Sequence, residues 1–198
     1  MKFEIRPYHP SDLTALYKIC LQTANSGGDA TKLFNNPDLV GHFYLAPYVL
    51  YEPEVAFIVT NNNEPCGYIV GTKDSQQFFE KCETDWLPIL RNRYPLSSES
   101  NNLHDTRLIK RIHEGHFVKK EVMDFPAHLH INLLPETQGQ GIGRKIMDIF
   151  IDKLKEFKVP ALHLEVGKAN SGAVKYYERV GFKIIKEYEY SIAYGIKF

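Results

Sequence analysis

The chain opens on an alternation. In "KFEIRPY", Phe3 and Ile5 stand against Lys2, Glu4 and Arg6, the period-two pattern of a half-buried strand. The period then lengthens to that of a helix: Leu13, Leu16, Tyr17 and Cys20 fall on one stripe, which Ser11 can cap and which runs to about Thr23. "NSGGDATK" reads as a loop. Asn36, Pro37 and Asp38 have the form of an N-cap, a first helical proline and a first-turn acid, and predict a second helix ending near Leu45. "VAFIVT" and "CGYIVGT", joined by the five-residue "NNNEP", predict an antiparallel hairpin. "SQQFFEKCETDWLPILRNRYP" is amphipathic and predicts helix as far as Pro88, and "DTRLIKRIHEG" predicts a short helix closed by Gly115.

In the second half, "AHLHINLL" predicts a strand, followed by a helix from about Gly141 to Phe157 and a strand at "ALHLEV". "NSGAVKYYERVGF" predicts a helix capped by Asn170 and closed by Gly181. "FKIIKEYEYSIAYGIKF" alternates well enough for one or two final strands. This β-α-β-α-β rhythm after a hairpin favours an α/β (α+β) fold with a mixed central sheet and helices on both faces.

Composition narrows the class. A chain of 198 residues with 43% hydrophobic content can bury one sizeable core, so residues 1–198 read as a single domain. Lys plus Arg and Asp plus Glu both number 24, which gives no electrostatic case for nucleic acid or an anionic membrane. Cys20, Cys66 and Cys82 are odd in number and widely spaced, as reduced thiols are. With no apolar signal core and no long apolar run, the expected setting is cytoplasmic.

The chemistry concentrates in "QGQGIGRK", where glycines recur at alternate positions ahead of a helix. A P-loop needs a hydroxyl after its lysine, and here Gly143 is followed by Arg144, Lys145 and Ile146. A dinucleotide fingerprint started at Gly139 puts Arg144 where its last glycine belongs. What remains is a backbone cradle, in which successive amides running into a helix N-terminus hold a pyrophosphate. The bland alternative is a glycine-rich chain reversal.

Gln138-x-x-Gly141-x-Gly143 resembles the Q/R-x-x-G-x-G/A motif of the GNAT superfamily of N-acetyltransferases. A second block, Asn170, Ala173, Tyr177, Gly181 and Phe182, is similar to that family's downstream helix. The resemblance covers about residues 127–183 well, and "IRPYHPSDLTALYKI" fits the family's opening unit. "GGDATKLFNNPDLVGHFYLAPYVLYEPE" looks like a subgroup related to the acetyltransferase-like C-terminal domain of O-GlcNAcase.

The resemblance implies acetyl-CoA as co-substrate and direct attack of a primary amine, from a small molecule or a protein, on the thioester. It implies a cleft between splayed parallel strands, with Leu133 and Leu134 pairing to pantetheine. Gln138, Gly139, Gln140, Gly141, Ile142, Gly143 and Arg144 would hold the pyrophosphate and Asn170 would touch the CoA arm. Tyr177 would serve the CoA sulfur as hydrogen-bond or proton donor. The glutamate that many members carry on the strand before the loop is missing. That strand offers His128, His130 and Asn132 on one face, and the next offers His163 and Glu165. His130 is the first choice for general base and Glu165 the second. The alternative class is a non-catalytic module that binds acetyl-CoA or CoA.

Among eight histidines, His128-x-His130 with His163, or His113-x-x-His116, invites a zinc reading, but no fourth ligand or thiolate accompanies them, so no metal is expected. Residues 74–125 read as an insert that shapes the acceptor site, with Phe78, Phe79, Trp86, Tyr94 and His104 as lining candidates. The final "EYEYSIAYGIKF" strand offers a pairing edge for a homodimer.

Overall fold

A computed structural model describes residues 2–96 and 102–198. β1 (Phe3–Pro7) leads through a single 3-10 turn into α1 (Leu13–Gln22), and α2 (Leu39–Tyr44) and α3 (Ala46–Tyr51) follow. β2 (Phe57–Asn61) and β3 (Glu64–Thr72) form the hairpin. The next stretch carries α4 (Ser75–Lys81), α5 (Leu87–Arg93) and α6 (Leu103–Glu114). β4 (Ala127–Leu133), α7 (Ile142–Glu156), β5 (Ala161–Gly167), α8 (Ser171–Arg179), β6 (Lys183–Glu187) and β7 (Ser191–Lys197) complete the chain. The sheet has seven strands in the order β1-β2-β3-β4-β5-β7-β6, with β4 and β5 as its parallel pair.

Strand alternation sorts the apolar side chains onto two faces. Ile58, Tyr68 and Val70 pack with Leu16, Leu39, Phe43, Tyr48, Phe78 and Leu108 of the first six helices. Phe57, Val59, Ile69, Leu129, Leu162 and Leu164 pack on the other face with Ile146, Phe150 and Leu154 of α7 and with Tyr177 of α8. His128 and His130 of β4 and His163 and Glu165 of β5 therefore turn toward the six-helix side.

Four expectations are corrected. The hairpin link is two residues, Asn62 and Asn63, both left-handed at φ 50° and 71°, because asparagine tolerates that region and the resulting turn matches strand twist. Pro88 does not end a helix. A π-helical turn over Cys82–Trp86 resets the chain, so Pro88 falls in the first turn of α5, where its missing N–H is harmless. Pro37 lies ahead of α2, and the N-cap of that helix is Asp38. The closing β7 is not an edge: it pairs with β5 on one side and β6 on the other, which leaves β6 and β1 as the outer strands. No helix among the described residues is long and apolar enough to cross a membrane.

Candidate active site

The site begins where β4 loses its neighbour. β4 pairs with β3 along its length, from Gly67↔Leu133 to Thr72↔His128, and the Leu134 N–H continues that ladder to the Cys66 carbonyl at 2.9 Å. In an antiparallel pair, residues bonded to one neighbour alternate with residues whose peptide groups face the opposite side. His128, His130 and Asn132 thus bond to β3, and Leu129, Ile131 and Leu133 face β5. The β4–β5 pairing holds at Ala127↔Leu162 and His128↔His163, and then the strands diverge. The peptide groups of Ile131 and Leu133 are left along an open cleft.

Leu134 does not join them. Its N–H is engaged by Cys66, and its carbonyl accepts the Thr137 N–H at 3.0 Å and the Thr137 hydroxyl at 2.8 Å. Of Leu133 and Leu134, the two residues expected to pair with pantetheine, Leu133 faces the open cleft and Leu134 does not, because cleft-facing peptides recur at every second residue.

Beyond Leu134 a 3-10 turn (Pro135–Thr137) feeds the glycine loop. The Gln138 and Gln140 amides bond back to the carbonyls of Pro135 and Thr137 at 3.0 and 3.4 Å. The amides of Gly139, Gly141, Ile142, Gly143 and Arg144 have no protein acceptor among the described residues. Gly139 and Gly141 sit at φ 71° and 70° with open space where a Cβ would project, so conformation and not crowding selects glycine. The Tyr176 hydroxyl donates to the Gly143 carbonyl at 2.7 Å and ties the loop to α8. Arg144 pairs with Asp148 at 2.9 Å on the surface.

α8 begins at Asn170, whose Oδ1 accepts the Ala173 N–H at 3.1 Å, leaving its amide nitrogen without a protein acceptor among the described residues. Tyr177 is buried against Phe182 and Tyr194 at ring separations of 5.7 and 6.0 Å. Its hydroxyl makes no hydrogen bond to any described residue, and burial pushes its pKa above the ordinary phenol value, keeping it protonated.

On the six-helix side the cleft meets a cavity of about 560 Å³, lined by His116, His128, His130, His163, Glu165, Arg111, Lys119 and the rings of Phe43, Tyr44, Tyr48 and Phe79. A hydrogen-bonded chain fixes the protons on two of these histidines. Ser75 Oγ gives its single proton to the Pro126 carbonyl at 2.6 Å, so at 2.7 Å it must accept from His128 Nδ1–H. His128 Nε2 is then the acceptor and takes the Tyr48 hydroxyl proton at 2.7 Å. Tyr48 Oη can in turn only accept at 3.1 Å from His130 Nε2–H. Neutral His130 is left with its lone pair on Nδ1, which has no partner among the described residues.

These rings are neutral. Burial, then the neighbouring histidines, drives His128 well below its ordinary pKa. Burial, with His116 and Arg111 nearby, takes His130 to about 4, and burial takes His116 to about 4. His163 is lowered by burial while its Nδ1–H donates to the Phe125 carbonyl at 2.7 Å. Burial works to raise Glu165, but hydrogen bonds from Lys119 and Ser191, both at 2.6 Å, outweigh it and hold the carboxyl below its ordinary value. Both Glu165 oxygens are therefore engaged, whereas His130 Nδ1, like His163 Nε2, keeps a lone pair with no partner among the described residues.

Of the aromatic candidates from residues 74–125, Phe79 lines the cavity and Phe78 backs it, stacked on Tyr48 at 4.4 Å. Trp86 and Tyr94 pack on His42, and His104 packs on Phe34. Tyr44, Tyr48 and Arg111 join the lining with no local signal in the sequence. No group of three His, Cys, Asp or Glu among the described residues is arranged to hold a metal ion. The three cysteines are free and buried, with burial pushing Cys20 and Cys66 up to about 11 and Cys82 up to about 12, so none is a ready nucleophile.

Comparison with known proteins decides the lineage. Residues 113–182 match the acetyltransferase (GNAT) family. The whole chain superposes on the crystal structure of SsHAT with a TM-score of 0.90 and 35% identity, covering 98% of that chain. The protein belongs to the GNAT acetyltransferase family. Acetyl-CoA is the typical co-substrate of this GNAT lineage. The chain is 24% identical over 188 residues to rat protein O-GlcNAcase, covering 93% of its own length but only 20% of that relative. It thus spans about a fifth of that curated relative. At 14% identity it shares its fold with the PaiA N-acetyltransferase of Thermoplasma acidophilum, solved in complex with coenzyme A, at a TM-score of 0.62 and full coverage of both chains.

The residues present fit acetyl-CoA: free strand peptides at Ile131 and Leu133 continue into free amides at Gly139 and 141–144. Amide-bearing pantetheine suits the first set and an anionic pyrophosphate the second.

Proposed function

We propose that the protein transfers the acetyl group of acetyl-CoA to a primary amine held in the histidine-lined cavity. The observation that carries this reading is continuity. Unpaired peptide groups at Ile131 and Leu133, and then at Gly139 and 141–144, follow one another along the cleft, which opens at the splay onto His130. Acetyl-CoA supplies an activated thioester carbonyl, and the chain supplies placement, a proton acceptor and support for the leaving sulfur.

The roles follow from the pKa directions. His130, lowered to about 4, is too weak a base to deprotonate a free ammonium near neutrality. The amine therefore enters uncharged, favoured by a cavity that disfavours added positive charge. As its lone pair is drawn into the new N–C bond the nitrogen becomes strongly acidic, and His130 Nδ1 is placed to take the proton. Glu165 ranks behind it as base, since both its oxygens are occupied. Tyr177, with its raised pKa, is a weaker acid than a thiol of pKa about 8.5. It therefore serves the departing sulfur as hydrogen-bond donor rather than by full proton transfer. Asn170 meets the CoA arm through its free amide nitrogen.

A melting-temperature screen with acetyl-CoA, CoA, ATP and NAD tests the donor site, and thioester cleavage over an amine panel tests transfer. The reading predicts a rise with both CoA species and amine-dependent thiol release. No shift with either CoA species contradicts it. Shift without any cleavage points to a binding module.

A further inference from the structure

The exposed rim of the cavity carries one guanidinium, Arg111, that acts on Glu165 through space but has no carboxylate in direct contact. Lys119 and Glu165 neutralise each other at 2.6 Å, and the four lining histidines are uncharged. Arg111 of α6 has no carboxylate within ion-pair distance among the described residues. Its guanidinium lies 5.6 Å from the Phe43 ring and 5.7 Å from the Tyr44 ring, and one N–H donates to the Tyr44 hydroxyl. The two rings and the hydroxyl orient this exposed guanidinium toward the cavity lining, and its other donors have no protein partner among the described residues. The Tyr44 ring also stands 5.5 Å from His130, so it separates the fork from the proton acceptor.

A fixed, unpaired guanidinium is a poor neighbour for an ammonium and a good one for a carboxylate or phosphate, which it can grip through two parallel N–H bonds. We propose that the acceptor is a primary amine that also bears an anionic group, held by Arg111 across the Tyr44 ring while its amine meets His130. This rests on the transferase reading of the same cavity. The geometry also supplies the selectivity: an acceptor with two amines and no anion brings a second positive charge against Arg111. An acceptor with an anion neutralises the cavity and orients its nitrogen in the same event.

The test uses matched pairs, 2-phenylethylamine against phenylalanine and ethanolamine against O-phosphoethanolamine. Each is titrated calorimetrically into the CoA-loaded protein and assayed for thiol release with acetyl-CoA. The expected result is at least about tenfold tighter binding and tenfold higher kcat/KM for the anionic member of one pair or both, with the two pairs separating carboxylate from phosphate. Arg111→Gln should bring that ratio to about one, mainly through KM, and Arg111→Lys should restore part of it. Ligand-free melting temperature serves as the folding control. A ratio near one in the parent protein, or one that survives in Arg111→Gln, overturns the assignment. Because binding is read separately, anion selectivity in binding without any turnover upholds this site and contradicts only the transferase reading.

Discussion

Tyr48 Oη receives the Nε2–H of His130 at 3.1 Å, and this one contact decides which nitrogen of that imidazole can accept a proton. The two residues lie on α3 and β4, 82 positions apart. Tyr48 can take this proton only because its own goes to His128, whose acceptor nitrogen is set by Ser75. Tyr48 therefore positions His130.

Tyr48→Phe should uncouple the chain. It leaves a buried acceptor on His128 and a donor on His130 unpaired, which costs about 1–3 kcal/mol each and lowers the melting temperature by several degrees. The expected kinetic effect is a loss of about tenfold in kcat with the KM for acetyl-CoA little changed. Nitrogen NMR of the histidine rings provides the separate readout: His130 should be the Nε2–H tautomer in the parent protein and a mixture in the variant. An unaltered tautomer with altered kcat would contradict the positioning role.

The acid limb of the pH–rate profile should follow the substrate. Since His130 stays neutral down to about 4, kcat/KM should fall as pH drops below the pKa of the acceptor amine, not near 6.5. Amines of different basicity should move the limb by their own difference in pKa. A limb fixed near 6.5 for every amine would show a histidine titrating instead.

Stability should fall on the acid side for a related reason. The buried histidines have folded-state pKa values below their unfolded value, so above about 6.5 they are neutral in both states and contribute no pH dependence. As pH falls from about 6.5 toward 4 the unfolded chain takes up protons that the folded chain refuses, and stability declines across that window. Thermal unfolding followed from pH 8 to 4 checks the sign.

Tyr177→Phe removes one hydroxyl whose ring is already well packed, so the fold should survive. The predicted loss is about tenfold in kcat, the worth of one hydrogen bond to a developing thiolate, and it should be independent of pH because the phenol does not titrate in the working range. An unchanged kcat between pH 6 and 9 would remove Tyr177 from the reaction.

Gly141→Ala tests the cradle. A Cβ there meets no atom within 4 Å, but φ 70° costs an L-residue about 1–2 kcal/mol, so the loop should relax and misdirect its amides. The dissociation constant of acetyl-CoA should rise about tenfold, with the melting temperature of the ligand-free protein lowered by only a few degrees.

The residues that carry the site divide by distance along the chain. The glycine loop, the Asn170 cap and the shared face of His128 and His130 follow from local spacing and strand period, and these were legible in "HLHINLLPETQGQGIG" and "NSGAVKYY". The direction in which Leu134 faces depends on the β3 register, which one strand's own residues do not encode. Tyr48 and Arg111 gave no local signal. Their importance comes from contacts with residues about 80 and 67 positions away, made only when α3 and α6 pack on the sheet. Pro88 reads as a helix stop in the sequence, and nothing in "CETDW" announces the π-helical turn that moves it to a helix start.

The central claim is direct transfer, and product stoichiometry measures it most closely. With a competent amine, thiol released from acetyl-CoA and N-acetylated amine should appear one to one, and intact-protein mass spectrometry should find no acetylated protein intermediate. Thiol release without acetylated amine, or an acetylated protein that forms and decays during turnover, would contradict the account.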